Sequence, residues 1–588
     1  MKNHATFMWN VAEVLHGTYK QQEIGRIVLP FTLLARLDAL LTAPDEGQRL
    51  TFHNRSGLDL QQILQHTDTA EQSLTDYVEG FSPMLRETFE GFGFQGTASS
   101  LAQEGLLLDA LRHFTSPDLS PGAVDNAAMG AIFDELLELA AAADASTTEP
   151  ETAHVPPATG LRNDPAGVAQ LMASLLVDVD AEENLASPER ARSVYDPAAC
   201  NGESLAAAER LIAARAPGAQ VNLLAREADP QAFAACRASL FLRGQPIGNT
   251  RLGGALPDPA PTDRGYDLGV SIPRPGSESS LQLLMHVASS LRRRGVSGGP
   301  AGRGAVVLDA ASLTRGGAGS RDADTRLWLL DNDYLEALIE LPSEASQPTN
   351  GRRYLWVINA HKPEWRRDRV QLIDASALLS EGSTPASSEN GQLSEADIER
   401  IASLYSEGTT SEHSVFVKNK DFLYRSITVE RPLQLGYSFA PERVERVLAS
   451  KTVAKMHAGD RDGVARALAA GEAALGELLG AGVICTSRKA FTAMLNMVLA
   501  GEGIFPKPPQ LKNITGDLAA HDPEGEMVLA SGREQPDSDL RTTLHVPLKQ
   551  DVHEYLEREV IPGAPGAWID ASKTKIGAEI GFSQHVAQ

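Results

Sequence analysis

An α/β fold with a mostly parallel sheet is predicted for the central part of this 588-residue chain. Short apolar, β-favouring runs alternate with helical segments from about residue 160 onwards. Strands are predicted at residues 193–195, 221–225, 266–270, 305–308, 335–340 and 354–359. Such alternation is typical of a parallel sheet that is covered by helices on both faces.

The sequence on either side of this region is predicted to be helical. Between Gly25 and Leu41 the chain is richly apolar, which predicts a buried helix. Ser82 before Pro83 predicts a helix start, with Ser82 at the N-cap. Sequence rich in Ala, Ser, Thr and Pro over residues 140–159 predicts a linker. We therefore expect a helical domain over 1–155, an α/β domain over 160–430, and a helical region with a tail over 431–588.

Composition limits the cellular setting. Cys200, Cys236 and Cys485 are scattered and form no Cys-x-x-Cys pair, so we predict neither a disulfide framework nor a metal site. No run of about 18 apolar residues is present that would span a membrane. The start of the chain lacks the charged and apolar runs of a signal peptide. We therefore expect a cytoplasmic protein without a membrane span.

The net charge of -24 bears on contact with nucleic acid. A protein that binds DNA unaided usually presents a basic surface. Any DNA contact is therefore expected to come from local patches or from a partner subunit. Basic runs occur at residues 292–294, 352–353 and 366–369. Each run taken alone is explained better as solvated surface arginines.

The stretch that organises the predicted sheet is the turn after its first strand. Val194-Tyr195 leads into Asp196-Pro197, small residues follow, and an Ala-rich helix is predicted from Leu205. In an α/β sheet, nucleotide-like cofactors bind beyond the carboxyl ends of the strands, at turns of this kind. The turn is therefore a candidate cofactor site.

Eight segments of the chain carry a resemblance to a known family. They are Phe7 to Asp38, Phe81-Ser82-Pro83, Met129 to Leu136, Val194-Tyr195-Asp196-Pro197, Gly316 to Ser320, Ile427 to Leu433, Val546 to Lys549 and Trp568 to Lys575. In this order and spacing they resemble the modification subunit of type I restriction–modification systems, a DNA adenine-N6 methyltransferase.

The resemblance implies a Rossmann-like, S-adenosylmethionine-dependent methyltransferase domain, flanked by an N-terminal helical domain and a C-terminal helical tail. It implies S-adenosylmethionine as the cofactor and a target adenine that is flipped out of double-stranded DNA. It also implies assembly with a DNA-specificity subunit and a second methyltransferase subunit, and the restriction (nuclease) subunit can join that complex.

The cofactor turn matches the family only in part. The family pattern is Asp-Pro, two small residues, Gly, any residue, Gly and Gly, and here Cys200 and Glu203 replace the first and third glycines. A Cβ costs about 1 kcal/mol or more where φ is positive. Glu203 is also expected to direct an acid toward a cofactor that itself carries a carboxylate.

Glu227 matches the acid that takes the ribose hydroxyls. The resemblance assigns to the cofactor Asp196, Pro197, Ala198, Ala199, Cys200, Gly202 and Glu227. The alternative is a structural strand–helix turn, with Glu227 as an ordinary strand-end acid.

The catalytic motif departs further from the family. The family has Asn-Pro-Pro-Phe after the strand predicted at 266–270, and this chain has Ile272-Pro273-Arg274-Pro275. Ile272 cannot accept a hydrogen bond from the adenine amino group, as the family asparagine would. Pro275 removes the aromatic ring that would stack on the base, a contact that contributes about 1–3 kcal/mol. Two further pocket segments, at residues 160–165 and 346–351, have lost the family's aromatic residues.

Three hypotheses follow. The first is a catalytically inactive methyltransferase-like subunit that is kept for assembly in a restriction or phage-defence complex. The second is an active adenine-N6 methyltransferase with an atypical pocket, in which Arg274 holds a phosphate or the cofactor carboxylate. The third is a nucleotide or metabolite sensor that uses the crevice of the sheet. The four damaged signatures favour the first.

Overall fold

The computed structural model of the chain describes residues 2–15, 17–44, 50–145, 166–178, 190–254, 265–273, 280–294, 300–342, 351–376, 378, 393–480, 483–530 and 532–586. The chain divides into two compact units. The first unit is Met1–Leu423 with Ala578–Gln588, and the second unit is Tyr424–Gly577. No helix among the described residues combines the length and the apolar character that crossing a membrane requires.

The amino-terminal part of the first unit is helical, as predicted. Its helices are α1 (Lys2–Trp9), α2 (Val11–Val14), α3 (Gln21–Thr42), α4 (Leu60–Gln65), α5 (Ala70–Glu79), α6 (Pro83–Gly91), α7 (Phe94–Gln103), α8 (Leu107–Thr115) and α9 (Asn126–Ala145). Ser82 and Pro83 begin α6 at the predicted position, although the Ser82 side chain makes no capping hydrogen bond.

Two polar residues interrupt the apolar helix α3, and both are satisfied by the surrounding helices. The Arg36 guanidinium is buried and donates to the carbonyl oxygen of Val124 at 2.9 Å. The Asp38 carboxylate accepts from the Tyr77 hydroxyl at 2.8 Å and from the Leu60 backbone N–H at 3.0 Å. Burial raises the pKa of Asp38, and the hydrogen bond from Tyr77 opposes that rise. Because Leu60 and Tyr77 lie on α4 and α5, and Val124 lies just before α9, the two polar residues hold the bundle together.

The centre of the first unit is a nine-stranded sheet in the order β3-β2-β1-β4-β5-β7-β6-β8-β9. Its strands are β1 (Arg192–Asp196), β2 (Val221–Glu227), β3 (Thr250–Leu252), β4 (Leu268–Ser271), β5 (Arg303–Asp309), β6 (Leu335–Glu340), β7 (Arg353–Asn359), β8 (Arg369–Asp374) and β9 (Ser414–Lys418). Only β7 and β9 run antiparallel to their neighbours. The predicted α/β fold with a mostly parallel sheet is therefore confirmed.

Helices cover both faces of this sheet. They are α10 (Ala166–Val177), α11 (Glu203–Arg215), α12 (Pro230–Leu242), α13 (Ser280–Ser290), α14 (Ala311–Thr314), α15 (Arg321–Asp331) and α16 (Glu395–Glu407). Alternate side chains of one strand enter two different cores. Ala305 and Val307 of β5 join the core that also contains the amino-terminal helices. Val306 and Leu308 join a second core, to which α13, α15 and the carboxyl-terminal residues 578–582 contribute.

The second unit combines helices with strands. Its helices are α17 (Pro441–Ala449), α18 (Lys451–Ala454), α19 (Ala458–Leu479), α20 (Arg488–Gly501), α21 (Pro508–Asp517) and α22 (Val552–Tyr555), and α23 (Phe582–Val586) follows in the first unit. Its strands are β10 (Leu423–Glu430), β11 (Gln434–Tyr437), β12 (Ala519–His521), β13 (Glu526–Met527), β14 (Leu529–Ala530), β15 (Arg533–Glu534), β16 (Thr542–Pro547), β17 (Trp568–Ile569) and β18 (Lys575–Ala578).

This second unit differs from the helical region that the sequence predicts over 431–588. The long helices are present, but β16 pairs with β10, and β12 and β13 pair with β11. Within that predicted helical region, residues 548–560 are helical only in α22 and in a five-residue π-helical turn, Leu556–Val560. Most of the added strands have two to four residues, so they are too short to show an alternating apolar pattern.

Candidate functional site

The candidate site lies at the edge of the sheet where the parallel strands end. β1 ends at Asp196, β2 ends at Glu227 and β4 ends at Ser271. Because β1 lies between β2 and β4 and is parallel to both, the three ends meet at one edge. We call this the carboxyl edge. It is the edge at which α/β sheets bind nucleotide-like ligands.

Hydrogen bonds from backbone N–H groups hold the first part of the turn in place. The Ala198 N–H donates to Asp196 Oδ1 at 3.0 Å. The Ala199 N–H donates to the carbonyl oxygen of Arg226 at 2.8 Å, which extends the pairing of β1 with β2. Asp196, Pro197 and Ala199 are buried, and Ala198 is partly exposed. The retained Asp-Pro and small residues therefore form a tight strand-to-helix connection.

Cys200 occupies a glycine-type backbone conformation. Its φ is 50°, and its side chain is buried. The Cys200 N–H donates to Glu227 Oε2 at 2.8 Å, and the Asp229 N–H donates to Glu227 Oε1 at 2.9 Å. Both oxygens of the Glu227 carboxylate are thus bound by backbone amides. The turn and Glu227, which the resemblance assigns to the ribose hydroxyls, therefore bind each other.

Gly202 is the one glycine of the family pattern that remains, and two constraints hold it in place. Its φ is 87°, and a Cβ at this position would lie 3.2 Å from the sulfur of Cys236 on α12. Glycine adopts a positive φ without the steric cost that other residues carry. The turn therefore keeps a glycine for packing against α12, whether or not a ligand binds.

Replacing Gly202 by alanine is expected to destabilise the first unit by about 2–4 kcal/mol, because strain at positive φ and crowding against Cys236 add. Gly218→Ala is the matched control. Gly218 has a φ of 91° and open space where its Cβ would be, so only the φ cost of about 1 kcal/mol is expected. Urea unfolding of both variants measures the difference. Equal destabilisation would show that the contact with Cys236 contributes nothing.

Glu203 corrects the expectation that an acid is directed toward the cofactor. Its buried carboxylate accepts from Arg210 on the same helix at 2.6 Å. Asp134 of α9 lies 3.5 Å from Arg210 and also pairs with Arg243. Burial raises the pKa of Glu203, and the positive charge of Arg210 opposes that rise. Glu203 therefore belongs to an ion-pair network that joins α11 to the amino-terminal helices.

Sequence reasoning missed this network. Asp134 and Arg243 are 109 positions apart, and nothing in either local sequence indicates the pairing. The available signal was indirect: a glutamate at the start of an Ala-rich helix, with an arginine seven residues later, predicts at most an interaction along one helix.

The segment that the resemblance aligns with the family's catalytic motif begins directly after β4. Ile272 is 1% exposed and belongs to the core that includes Val270 and Ile339. Pro273 is also buried. Arg274 and Pro275 lie outside the described residues, as do the pocket segments 160–165 and 346–350. At the position that the resemblance aligns with the family's asparagine, the structure therefore places an aliphatic side chain packed in the hydrophobic core.

No metal site is predicted from the sequence, and one group of described residues has the spacing of metal ligands. His521, Asp537 and Asp539 of the second unit offer nitrogen and oxygen atoms within 4.8 Å of one another. His521 Nδ1 lies 2.5 Å from Asp537 Oδ2, and the Asp539 N–H donates to Asp537 Oδ1 at 2.9 Å. His521 thus lies in direct contact with Asp537, and its Nε2 lies 3.6 Å from Asp539.

Two family models match the chain in the order that the resemblance predicts. The HsdM N-terminal domain matches residues 5–114, and the N-6 DNA Methylase model matches residues 272–430. These matches confirm the resemblance of the chain to type I modification methyltransferase subunits. The turn at Asp196 and the acid at Glu227 lie outside both matched ranges. The turn that departs from the family's glycine pattern is thus in a part of the chain that neither model covers.

The individual relatives of the chain are distant. It is 30% identical over 102 residues to the type I restriction enzyme MjaVIII methylase subunit of Methanocaldococcus jannaschii, and 28% identical over 100 residues to the MjaVII subunit of that organism. These alignments span 17% of this chain and 17% and 16% of those relatives. A type I methyltransferase subunit from Streptococcus thermophilus superposes with a TM-score of 0.54 at 17% identity, over 72% of this chain and 96% of that one. This likeness extends the shared fold over most of the chain.

Proposed function

We propose that this modification subunit serves as an assembly component and does not transfer methyl groups. In this proposal it joins a DNA-specificity subunit and a second methyltransferase subunit on double-stranded DNA, in a restriction or phage-defence complex that the restriction subunit can complete. The observation that carries the proposal is Ile272, buried in the core at the position where the family's asparagine would accept from the adenine amino group. A buried amino group without an acceptor costs about 1–3 kcal/mol.

The cofactor side of the site supports the same proposal. S-adenosylmethionine needs backbone amides of the turn and an acid for its ribose hydroxyls. Here the Cys200 N–H and the Glu227 carboxylate are engaged with each other, and the Asp229 N–H binds the second Glu227 oxygen. Cys200 also adds a buried side chain where the family has glycine. These residues do not fit the cofactor as the family binds it, so we derive no methyl-transfer step.

The experiment that tests this proposal is a methylation assay on the purified complex. The chain is co-expressed with the specificity subunit of its own operon, and transfer from labelled S-adenosylmethionine to DNA that carries the recognition sequence is measured. We expect co-purification with the specificity subunit and methylation at background. The same specificity subunit with an intact family methyltransferase is the positive control. Methylation that depends on this chain would overturn the proposal.

A second candidate is an active adenine-N6 methyltransferase with an atypical pocket. Asp196, Gly202 and Glu227 favour it, because they keep the family residue types at the end of β1, in the turn that follows β1 and at the end of β2. In this case a ligand would displace the Cys200 N–H from Glu227 when it binds. Saturable binding of S-adenosylmethionine that is lost in Glu227→Ala would support this candidate.

A further inference from the structure

Two basic runs that are far apart in sequence meet at the other edge of the sheet, where the parallel strands begin. We call this the amino edge. Residues 292–294 follow α13, and the Arg292 N–H donates to the Tyr266 carbonyl just before β4. Residues 366–369 lead into β8. Between them, just past the end of β7, lies His361, and Nε2 of this residue contacts Arg294 Nη1 and lies 3.5 Å from Arg367 Nη2. The third basic run is separate: Arg352 precedes β7 at the carboxyl edge, 3.5 Å from Glu340.

Exposed arginines of the amino edge carry positive charge, and Glu364 and Asp368 are the exposed acids in the same stretch as Arg367. Arg293, Arg294 and Arg367 are exposed, and among the described residues none of the three lies within ion-pair distance of a carboxylate. Asp267 is occupied by Arg190 and Arg292, and Asp333 by Lys362. Clustered arginines of this kind repel one another. Because the whole chain has a net charge of -24, a cluster of positive charge differs from the chain's average surface.

An exposed aromatic ring accompanies the arginines. Trp365 is 44% exposed and lies in the sequence stretch that contains Arg367. The Arg366 guanidinium lies 4.2 Å from the centre of the Trp365 ring. The ring of Phe416 makes an edge contact with the Trp365 ring, with 6.2 Å between the ring centres. Arg366 is buried and bonded to Gln371 at 2.8 Å. The tryptophan is therefore held in place by its neighbours while 44% of it stays exposed.

We propose that the amino edge binds the phosphate backbone of nucleic acid, through Arg293, Arg294 and Arg367, with Trp365 available for stacking on an unpaired base. Planar guanidinium groups suit the geometry of phosphate oxygens, and an exposed ring beside basic groups is the usual arrangement for single strands. The surface lies at the opposite end of the strands from the carboxyl edge. It is therefore a second contact with nucleic acid, independent of methyl transfer and of the specificity subunit.

The test uses the full chain alone and fluorescence anisotropy with labelled single-stranded and double-stranded oligonucleotides of about 20 nucleotides. Arg294→Glu combined with Arg367→Glu is expected to weaken binding by about tenfold or more, and to lower the slope of log affinity against log salt by about two. Arg55→Glu combined with Arg86→Glu is the matched control. Both of these arginines are exposed residues of the same unit, and the net charge changes equally. We expect a loss of no more than about twofold in the control.

Each outcome bears on the proposal. Equal loss in the control pair would show a general charge effect and overturn it, as would the absence of binding by the unmodified chain at low salt. Trp365→Ala should weaken binding of the single strand more than of the duplex. If the glutamate pair fails to fold, Arg294→Gln with Arg367→Gln provides the same comparison, and unchanged binding in that variant would also overturn the proposal. Methylation at background leaves this inference unaffected.

Discussion

Replacing Glu336 by alanine is expected to destabilise the first unit by about 3–5 kcal/mol, which is the usual cost of leaving a buried charge without its partner. Glu336 lies on β6 and is 1% exposed. Its carboxylate lies 3.6 Å from Arg303 and 3.4 Å from Arg366, and accepts from Asn359 at 2.6 Å. Alanine would leave two buried guanidinium groups without their carboxylate. Urea unfolding of the full chain measures the effect.

Asp109→Ala is the control for this prediction. Asp109 pairs with Arg112 at 2.7 Å, but both side chains are about half exposed. An exposed pair contributes about 0–1 kcal/mol, so little change is expected. A similar small effect for Glu336→Ala would show that water or local rearrangement satisfies the two arginines.

The same carboxylate predicts a dependence on pH. Burial acts to raise the pKa of Glu336, but Arg303 and Arg366, with hydrogen bonds from Tyr405 and Asn359, outweigh it and hold the pKa below its ordinary value. A lowered pKa in the folded protein stabilises the fold above the pKa of the unfolded chain. This contribution is lost as the pH falls through the lowered pKa. Glu336→Ala should therefore lose less stability on acidification than the unmodified chain.

S-adenosylmethionine is expected to give no saturable heat of binding at ligand concentrations up to about 1 mM, which corresponds to less than about 4 kcal/mol of binding free energy. The physical reason is the bond between the Cys200 N–H and Glu227, which occupies the groups that the cofactor would need. Isothermal titration calorimetry on the full chain, with and without the specificity subunit, measures this directly. Micromolar binding would contradict the expectation, and its loss in Glu227→Ala would locate that binding at the carboxyl edge.

Restoring the catalytic acceptor alone is expected to fail. Ile272→Asn returns the side-chain carbonyl, but the stacking ring stays absent at Pro275. The missing acceptor and the missing ring together remove about 2–6 kcal/mol of stabilisation of the transition state. This loss corresponds to a rate that is lower by roughly 30-fold to 10⁴-fold. Ile272→Val is the matched control for packing in the same core. Methylation by the asparagine variant that the valine variant lacks would show that one substitution had silenced an otherwise complete site.

Local pattern predicted the central sheet closely. The strand predicted at 335–340 has the observed bounds of β6, and the strand predicted at 354–359 differs from β7 by one residue. These strands are buried along their whole length. An apolar run in the sequence therefore indicates such a strand directly. The two-residue strands β13, β14 and β15 are exposed. Their pairing depends on partners elsewhere, so no such signal exists for them.

The candidate site divides in the same way. Chemistry that belongs to a residue type is evident from the sequence: Ile272 cannot accept a hydrogen bond, wherever it lies. The direction in which a side chain points is not evident from the sequence. The sequence places Glu203 beside a cofactor, yet its carboxylate accepts from Arg210, which also lies 3.5 Å from Asp134. The free energy of burying a charge depends on partners from distant parts of the chain, and local spacing does not contain them.

The sequence alone determined the family, the order of the strands along the chain, and the loss of the acceptor and the stacking ring, because these depend on residue identity and local periodicity. Only the tertiary structure decided how the remaining polar groups are used. It paired Glu227 with the backbone of Cys200, turned Glu203 into the helical core, and brought two arginine runs together at the amino edge. Those outcomes depend on distances between residues far apart in sequence, and packing sets these distances.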